Sequence, residues 1–372
     1  MIKVLSIFGT RPEAIKMAPV VKELEKYPER FISRICVTAQ HREMLDQVLD
    51  LFEIKPDIDL DLMRDAQTLS ELTARVFTAL DPLLVGEKPD WVLVQGDTTT
   101  VMAASLAAFY HQVRVGHVEA GLRTFDKWQP FPEEINRKIA GSVADLHFAP
   151  TETSKKNLLN EGVNPDIIHV TGNPVIDALK MVAAMPYDIS SGELADIPWE
   201  KRILLVTAHR RENHGKPLEN ICQALLELIK RFDDIQVVYP VHLNPKVQEP
   251  VYRLLGDQDR IMLLPPLDYQ PLVQLMKRST LVLTDSGGIQ EEAPGLGKPV
   301  LVLREKTERP EALQAGTVRL VGTDREKIFQ EAEELLTNKG RYQQMAQAVN
   351  PYGDGKAAER ITRILFEDHH RK

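Results

Sequence analysis

The chain has 372 residues, 43% hydrophobic and 27% charged; that balance excludes disordered and fibrous architectures, and at about 150 residues per domain two or three domains are expected. Lysine and arginine total 46 against 54 acidic residues, a net charge of -8, which argues against nucleic acid or an anionic membrane as the main partner. Cys36 and Cys222 are far apart in the chain, so neither a disulfide scaffold nor a thiolate metal site is expected, and the usage fits a reducing compartment.

The first apolar run, residues 3–8, breaks at Gly9-Thr10-Arg11-Pro12-Glu13 and is too short for a secretory core. The longest weakly polar stretch, residues 101–110, is about half of a bilayer span. A cytoplasmic protein is expected. Further strands are predicted at residues 32–38, 91–95, 114–118, 146–149 and 167–171, then at 203–207, 236–240, 260–264, 280–283, 300–303 and 317–321. Nearly continuous apolar runs of this length suit strands buried on both faces. Helical patterns intervene, among them residues 14–27, 67–85, 100–111, 218–231 and 324–336, with a last one at 357–367. The alternation predicts an α/β protein with doubly wound parallel sheets. So many strands rarely share one sheet, so the chain is divided into a first Rossmann-like domain, 1–170, and a second, 171–355. The crossings are Gly172-Asn173-Pro174 with the polar stretch 185–201, and Asn350-Pro351-Tyr352-Gly353-Asp354-Gly355.

In open parallel sheets ligands bind beyond the carboxyl ends of the strands. Those ends carry Gly9 to Glu13, Gly96-Asp97-Thr98-Thr99-Thr100, Glu119-Ala120-Gly121-Leu122-Arg123, His209-Arg210-Arg211-Glu212-Asn213, His242, and Asp285-Ser286-Gly287-Gly288-Ile289-Gln290-Glu291-Glu292. Ser286-Gly287-Gly288 ahead of a helix is suited to approach a phosphate through backbone N–H groups; it equally suits a tight strand–helix turn. Glu292, one turn on, is placed to accept from a ribose diol or to sit on a solvated helix face. Neither a Walker loop nor Gly-x-Gly-x-x-Gly is present, so ATP hydrolysis and NAD binding are not suggested. His209, Arg210 and Arg211 suit a diphosphate or form a surface basic cluster. Arg11 binds an anion or pairs with Glu13. His117 and His242 also read as ordinary core histidines. Asp97 and Glu119 end adjacent strands, where two carboxylates can divide acid and base work; Asp97 also reads as a helix N-cap.

Four blocks in the first half resemble the bacterial non-hydrolysing UDP-N-acetylglucosamine 2-epimerases: Gly9 to Ala14, Gln95 to Thr100, His117 to Thr124, and Pro132-Glu133-Glu134-Ile135-Asn136-Arg137. Thr207 to Asn213, Thr284 to Glu292, Thr307-Glu308-Arg309-Pro310-Glu311 and Asn350 to Gly355 extend the resemblance through the second half in the same order. It implies a glycosyltransferase-B-like fold, with two Rossmann-like domains facing a central cleft and a C-terminal helix, 356–372, packing back on the first. A homodimer is implied, and no nicotinamide, metal or other cofactor. The implied reaction inverts C2 of UDP-N-acetylglucosamine reversibly, by eliminating UDP to 2-acetamidoglucal and adding it back, and supplies surface polysaccharide precursors.

By the same resemblance Asp97, Glu119, Glu133 and His209 are the catalytic set. Arg11, Lys16, Ser286, Gly287, Gly288, Glu292 and Arg309 bind the nucleotide sugar. Gln40, Arg210 and His242 match part of a second nucleotide-sugar site through which the substrate activates some relatives; Ala66 and Glu43 depart from the residues some relatives carry there and count against that activation. Leu272 stands where many relatives have Phe. Competing readings are a C2 epimerase of a diacetamido uronic acid UDP-sugar, a glycosyltransferase of the same fold, and a regulatory nucleotide-sugar binder.

Overall fold

The computed structural model describes residues 1–38, 42–62, 64 and 67–371. They form two compact units, Met1–Ala178 with Tyr352–Lys372, and Leu179–Pro351. The first holds strands β1 (Ile2–Phe8), β2 (Phe31–Val37), β3 (Ile58–Asp59), β4 (Trp91–Gln95), β5 (Arg114–Val118), β6 (Leu146–Ala149) and β7 (Ile168–Val170). They make one sheet in the order β3-β2-β1-β4-β5-β6-β7, parallel throughout. The second holds β8 (Arg202–Thr207), β9 (Ile235–Pro240), β10 (Ile261–Leu264), β11 (Leu281–Thr284), β12 (Val300–Val302) and β13 (Val318–Leu320), in the order β10-β9-β8-β11-β12-β13. Its pairs are also all parallel.

The strand order reverses between β1 and β4 in one sheet and between β8 and β11 in the other. Such switch points open a crevice at the carboxyl edge, where ligands bind in doubly wound folds. The central strands are apolar on both faces because helices cover both: Val92, Leu93 and Val94 are fully buried, as are Leu204, Leu205 and Val206. The alanines Ala103, Ala104, Ala107 and Ala108 of helix Thr99–Tyr110 let it pack closely against the first core.

Helix Arg11–Glu25 begins three residues before its apolar periodicity does, because a capping box sets its start. Thr10 accepts from the backbone of Glu13, and the Glu13 side chain reaches back to the N-cap. The last helix, Ala357–His369, lies in the first unit, where Arg114 Nη1 donates to Asp368 at 2.8 Å. The backbone N–H groups of Ala357 and Ala358 donate to Asp177 at 3.2 and 2.9 Å. Both cysteines are buried thiols, pushed up to about 12 by desolvation. Among the described residues no helix is long and apolar enough to cross a membrane.

Candidate active site

At the first switch point the loops after β1, β4 and β5 enclose a cavity of about 470 Å³ lined by Arg11, Lys16, Gln95, Asp97 and Glu119, among others. Glu119, the residue after β5, has φ 61°, a left-handed backbone that a non-glycine residue adopts at a cost and that recurs at functional sites. Its buried carboxylate is surrounded by donors. Lys16 Nζ lies 2.8 and 2.6 Å from the two oxygens, Asn173 Nδ2 donates to Oε1 at 2.8 Å, and Gln95 Nε2 donates to Oε2.

Asp97 is not the cap of the helix that follows it. Thr98 is: its hydroxyl accepts from the backbone of Val101 at 3.3 Å. The Asp97 carboxylate instead pairs with Arg137, whose Nη1 lies 3.2 Å from the fully buried Glu134. Glu134 in turn accepts from the backbone of Thr124 and Phe125 at 3.0 and 3.1 Å. The buried Arg137 and Glu134 thus tie Asp97 to the 124–125 turn. Burial raises the Asp97 carboxyl above its usual range and the charge of Glu119 adds to that, while Arg137 opposes it. Glu133 begins helix Glu133–Val143 and is not among the cavity-lining residues; its Oε2 is buried without a hydrogen-bond partner. Arg11 does not pair with Glu13, which accepts from Gly9 N, Thr10 N and the Thr98 hydroxyl at 2.9, 2.7 and 2.6 Å. The Arg11 guanidinium is therefore left to the cavity.

His117 is buried and shares a 2.7 Å hydrogen bond with the carbonyl of Gly96 through Nε2. Desolvation holds it down at about 4, so at neutral pH it is uncharged and Nε2 is the donor. It supports the Gly96 turn from within the sheet.

At the second switch point Asp285, fully buried, organises the loop after β8. Its Oδ2 accepts from the backbone of His209 and Arg210, each at 2.8 Å, and from Asn213 Nδ2 at 2.9 Å. Its Oδ1 lies 3.7 Å from His209 Nδ1. The ring of His242 stacks on that of His209, centroids 5.3 Å apart. Burial lowers His209; Asp285 opposes the shift, and His242 and Arg210 reinforce it. His209 is therefore uncharged at neutral pH, and permanent positive charge comes from arginine. A Cβ built on Gly287 would lie 3.8 Å from Nη2 of both Arg210 and Arg309, so two guanidinium groups converge on the start of helix Gly287–Gly295. Arg309 is held by the buried Glu291, and Arg210 Nε is buried without a partner. Glu292 is buried and accepts from the Tyr269 hydroxyl at 3.2 Å. Arg210 and His242 thus sit with His209 and Gly287, while Gln40 and Ala66 lie outside the described residues. Leu272 lies in the first turn of helix Tyr269–Arg278.

Sequence reasoning passed over Arg137, Gln95, Asn173, Asp285 and Glu291 as site residues, although all but Asn173 stand inside blocks that carry the family resemblance. Their side chains act through other side chains, and spacing along a chain carries no signal for that. Among the described residues no group of three or more His, Cys, Asp or Glu could hold a metal.

The family model described as UDP-N-acetylglucosamine 2-epimerase matches residues 22–366. The chain belongs to that family. It is 56% identical over 372 residues to the UDP-N-acetylglucosamine 2-epimerase of Bacillus subtilis, covering 100% of this chain and 97% of that one. It is 57% identical over 369 residues to that of Escherichia coli K12, covering 98% of each. The crystal structure of the Neisseria meningitidis UDP-GlcNAc 2-epimerase, bound to UDP-GlcNAc, superposes with a TM-score of 0.87 at 50% identity, covering 98% of this chain and 100% of that one. Membership makes this chain an isomerase with a glycosyltransferase-B-like α/β fold.

Proposed function

We propose that this epimerase interconverts UDP-N-acetylglucosamine and UDP-N-acetylmannosamine by eliminating UDP across C1–C2 and adding it back with the proton on the other face. The C2 hydrogen is not acidic, so the anomeric C–O bond must break together with, or before, loss of that proton. The reaction then needs carboxylates at C2 and cationic or N–H groups on the departing diphosphate. The reading rests on two carboxylates in unlike environments at the first switch point and on two guanidinium groups that converge on a helix start at the second.

In this reading Glu119, which accepts from Lys16, Gln95 and Asn173, serves as a carboxylate. Asp97, raised by burial, is the better placed to carry a proton, and such splitting is how one site runs both directions of proton transfer. Glu133, with its unpartnered oxygen, is the third candidate. Arg210, Arg309 and the N–H groups of Gly287 and Gly288 hold the diphosphate, neutral His209 donates to it, and Glu292 takes the ribose diol. Arg11 and Lys16, which line the cavity at the first switch point, serve the sugar side. We also take the working form to be a cytoplasmic homodimer. Exposed Val85, Phe109 and Tyr110 on helices Leu69–Glu87 and Thr99–Tyr110 support self-association, which light scattering of the purified protein checks.

The decisive experiment is proton NMR of the protein with UDP-N-acetylglucosamine alone in deuterated water. UDP-N-acetylmannosamine should appear, with deuterium at C2 of the product. Retention of the original C2 hydrogen would overturn the elimination. Early release of free N-acetylmannosamine and UDP would mark a hydrolysing enzyme, and no conversion without an acceptor would mark a transferase.

A further inference from the structure

Asn173 belongs to the crossing Gly172-Asn173-Pro174, which the site as read from sequence leaves unused, yet its side chain is buried against the carboxylate of Glu119. Its orientation is fixed from both ends. Oδ1 accepts from the backbone N–H of Val175 at 3.1 Å, a bond only the oxygen can make, so Nδ2 faces Glu119 Oε1. The backbone is pinned as well: Asn173 N donates to the Tyr352 carbonyl at 2.7 Å. Beside it Gly172 has φ 88°, and a Cβ there would come within 3.3 Å of Gly353 Cα and Tyr352 O. The amide therefore projects from two chain passages locked together, and it has little freedom to leave its carboxylate.

We propose that Asn173 is a positioning residue for the reaction, holding Glu119 by its Oε1 in the orientation and ionised state that proton transfer requires. Lys16 spans both oxygens and Gln95 binds Oε2, so Asn173 is the neutral donor on the side that Gln95 does not serve. Hydrogen bonds to the charged form of a carboxylate favour that form. Losing this donor should then cost rate by making Glu119 easier to protonate and free to turn, with no direct effect on substrate affinity.

The inference rests on the catalytic reading of Glu119, and a double-mutant cycle separates the two. The Asn173→Ala, Asn173→Asp and Glu119→Gln proteins, and the Asn173→Ala/Glu119→Gln pair, are assayed for kcat and KM across pH, with deuterium incorporation at C2 measuring slow residual turnover. Asn173→Ala should lower kcat about 10-fold, the loss of one hydrogen bond to a charged group. KM should stay within about 2-fold, and the acidic limb of the pH–rate profile should move up by about one unit. In the Glu119→Gln background the same change should alter the residual rate by less than about 2-fold, because residues that act through one another are not additive. The isosteric Asn173→Asp places a second carboxylate against Glu119 and should move the limb further, which serves if the alanine protein does not fold. A pH profile unchanged in either variant, or an equal loss with and without Glu119, overturns the proposal. Wild-type kcat in Glu119→Gln alone removes the catalytic reading itself, a distinct result.

Discussion

The carboxyl edges of the two sheets share a topology and differ in chemistry. Each lies at a point where strand order reverses, β1 beside β4 and β8 beside β11. The first presents Asp97 and Glu119, each facing a basic side chain, Arg137 and Lys16. The second presents Arg210 and Arg309 over Gly287, with acids used behind them as struts: Asp285 under the loop, Glu291 under Arg309. The scaffold supplies only the position. Which charge faces outward depends on which member of each ion pair the backbone places in front.

The largest expected effect breaks the first edge alone. Glu119→Gln and Asp97→Asn keep side-chain volume and remove the charge, and kcat should fall by roughly 100-fold or more in each, the scale of a lost general acid or base. UDP binding, measured by titration calorimetry, should stay within about 2-fold, because the anion groups belong to the other edge. If UDP affinity falls in step with kcat, the division of labour between the edges is wrong.

The converse change should spare the chemistry and weaken binding. Arg210 has no acidic partner among the described residues, so Arg210→Ala leaves no buried carboxylate stranded. Loss of one charge-assisted hydrogen bond, about 1.5–3 kcal/mol, should weaken UDP roughly 10- to 100-fold. UDP affinity unchanged in Arg210→Ala would assign this guanidinium to another site, such as the second nucleotide-sugar site the resemblance suggested.

The two edges were unequally legible in the sequence. Strands β4, β5 and β6 read at their true bounds; β4 is a continuous apolar run, and β5 and β6 are short Val-, Leu- and Phe-bearing runs closed off by polar loops. The two-residue β3 carried no such run, and it exists only by pairing Ile58 and Asp59 with Cys36 and Val37 at the sheet edge. Gly-Asp-Thr-Thr-Thr and Ser-Gly-Gly were legible as strand-end loops, since glycine and short polar residues mark tight turns by their own chemistry. The struts were not. Arg137 pairs with a residue 40 positions away and Asn213 with one 72 away, and no local pattern announces such a contact. Asp97 shows how a local rule misleads: an aspartate before three threonines reads as an N-cap, but the next residue takes the cap and releases Asp97 for Arg137.

Acid should also distinguish the units. His117 and His147 occupy neighbouring strands of the first sheet, paired in register, and burial holds them at about 4 and about 3. Both ring nitrogens of His147 lack a partner. An unfolded histidine takes up a proton near pH 6.5, while these stay neutral in the folded chain, so the unfolded state binds more protons and stability falls as pH drops from about 6.5 toward 4. At pH 5 each contributes about 2 kcal/mol of that loss. The first unit should therefore lose hydrogen-exchange protection before the second on acidification, and His147→Leu should reduce the difference between pH 7 and pH 5. Equal acid sensitivity of both units would mean that protonation is accommodated without opening the sheet.

The smallest effect sharpens the role of Asp97. If Thr98 caps helix Thr99–Tyr110, then Thr98→Ala should lower stability by about 1 kcal/mol through the lost cap. A little more should follow because the Thr98 hydroxyl also donates to the buried Glu13 at 2.6 Å. Asp97→Asn should cost nothing at the helix terminus, since Asp97 makes no cap there, and the pH dependence of its stability change should follow the burial of the carboxyl, which the pair with Arg137 only partly offsets. Burial raises the Asp97 carboxyl, so its net contribution is greatest below the unfolded carboxylate range and declines as pH rises through the folded value. Replacing it with asparagine should accordingly be least costly near neutral pH and more costly at low pH, whereas Thr98→Ala, which also takes a donor from the Glu13 carboxyl, should cost more at neutral pH than at low pH. Urea unfolding of the two variants at pH 4 and pH 7 distinguishes them. A cost for Asp97→Asn that matches Thr98→Ala in size and in pH trend would return Asp97 to the helix terminus and leave Glu119 and Glu133 as the acid–base candidates.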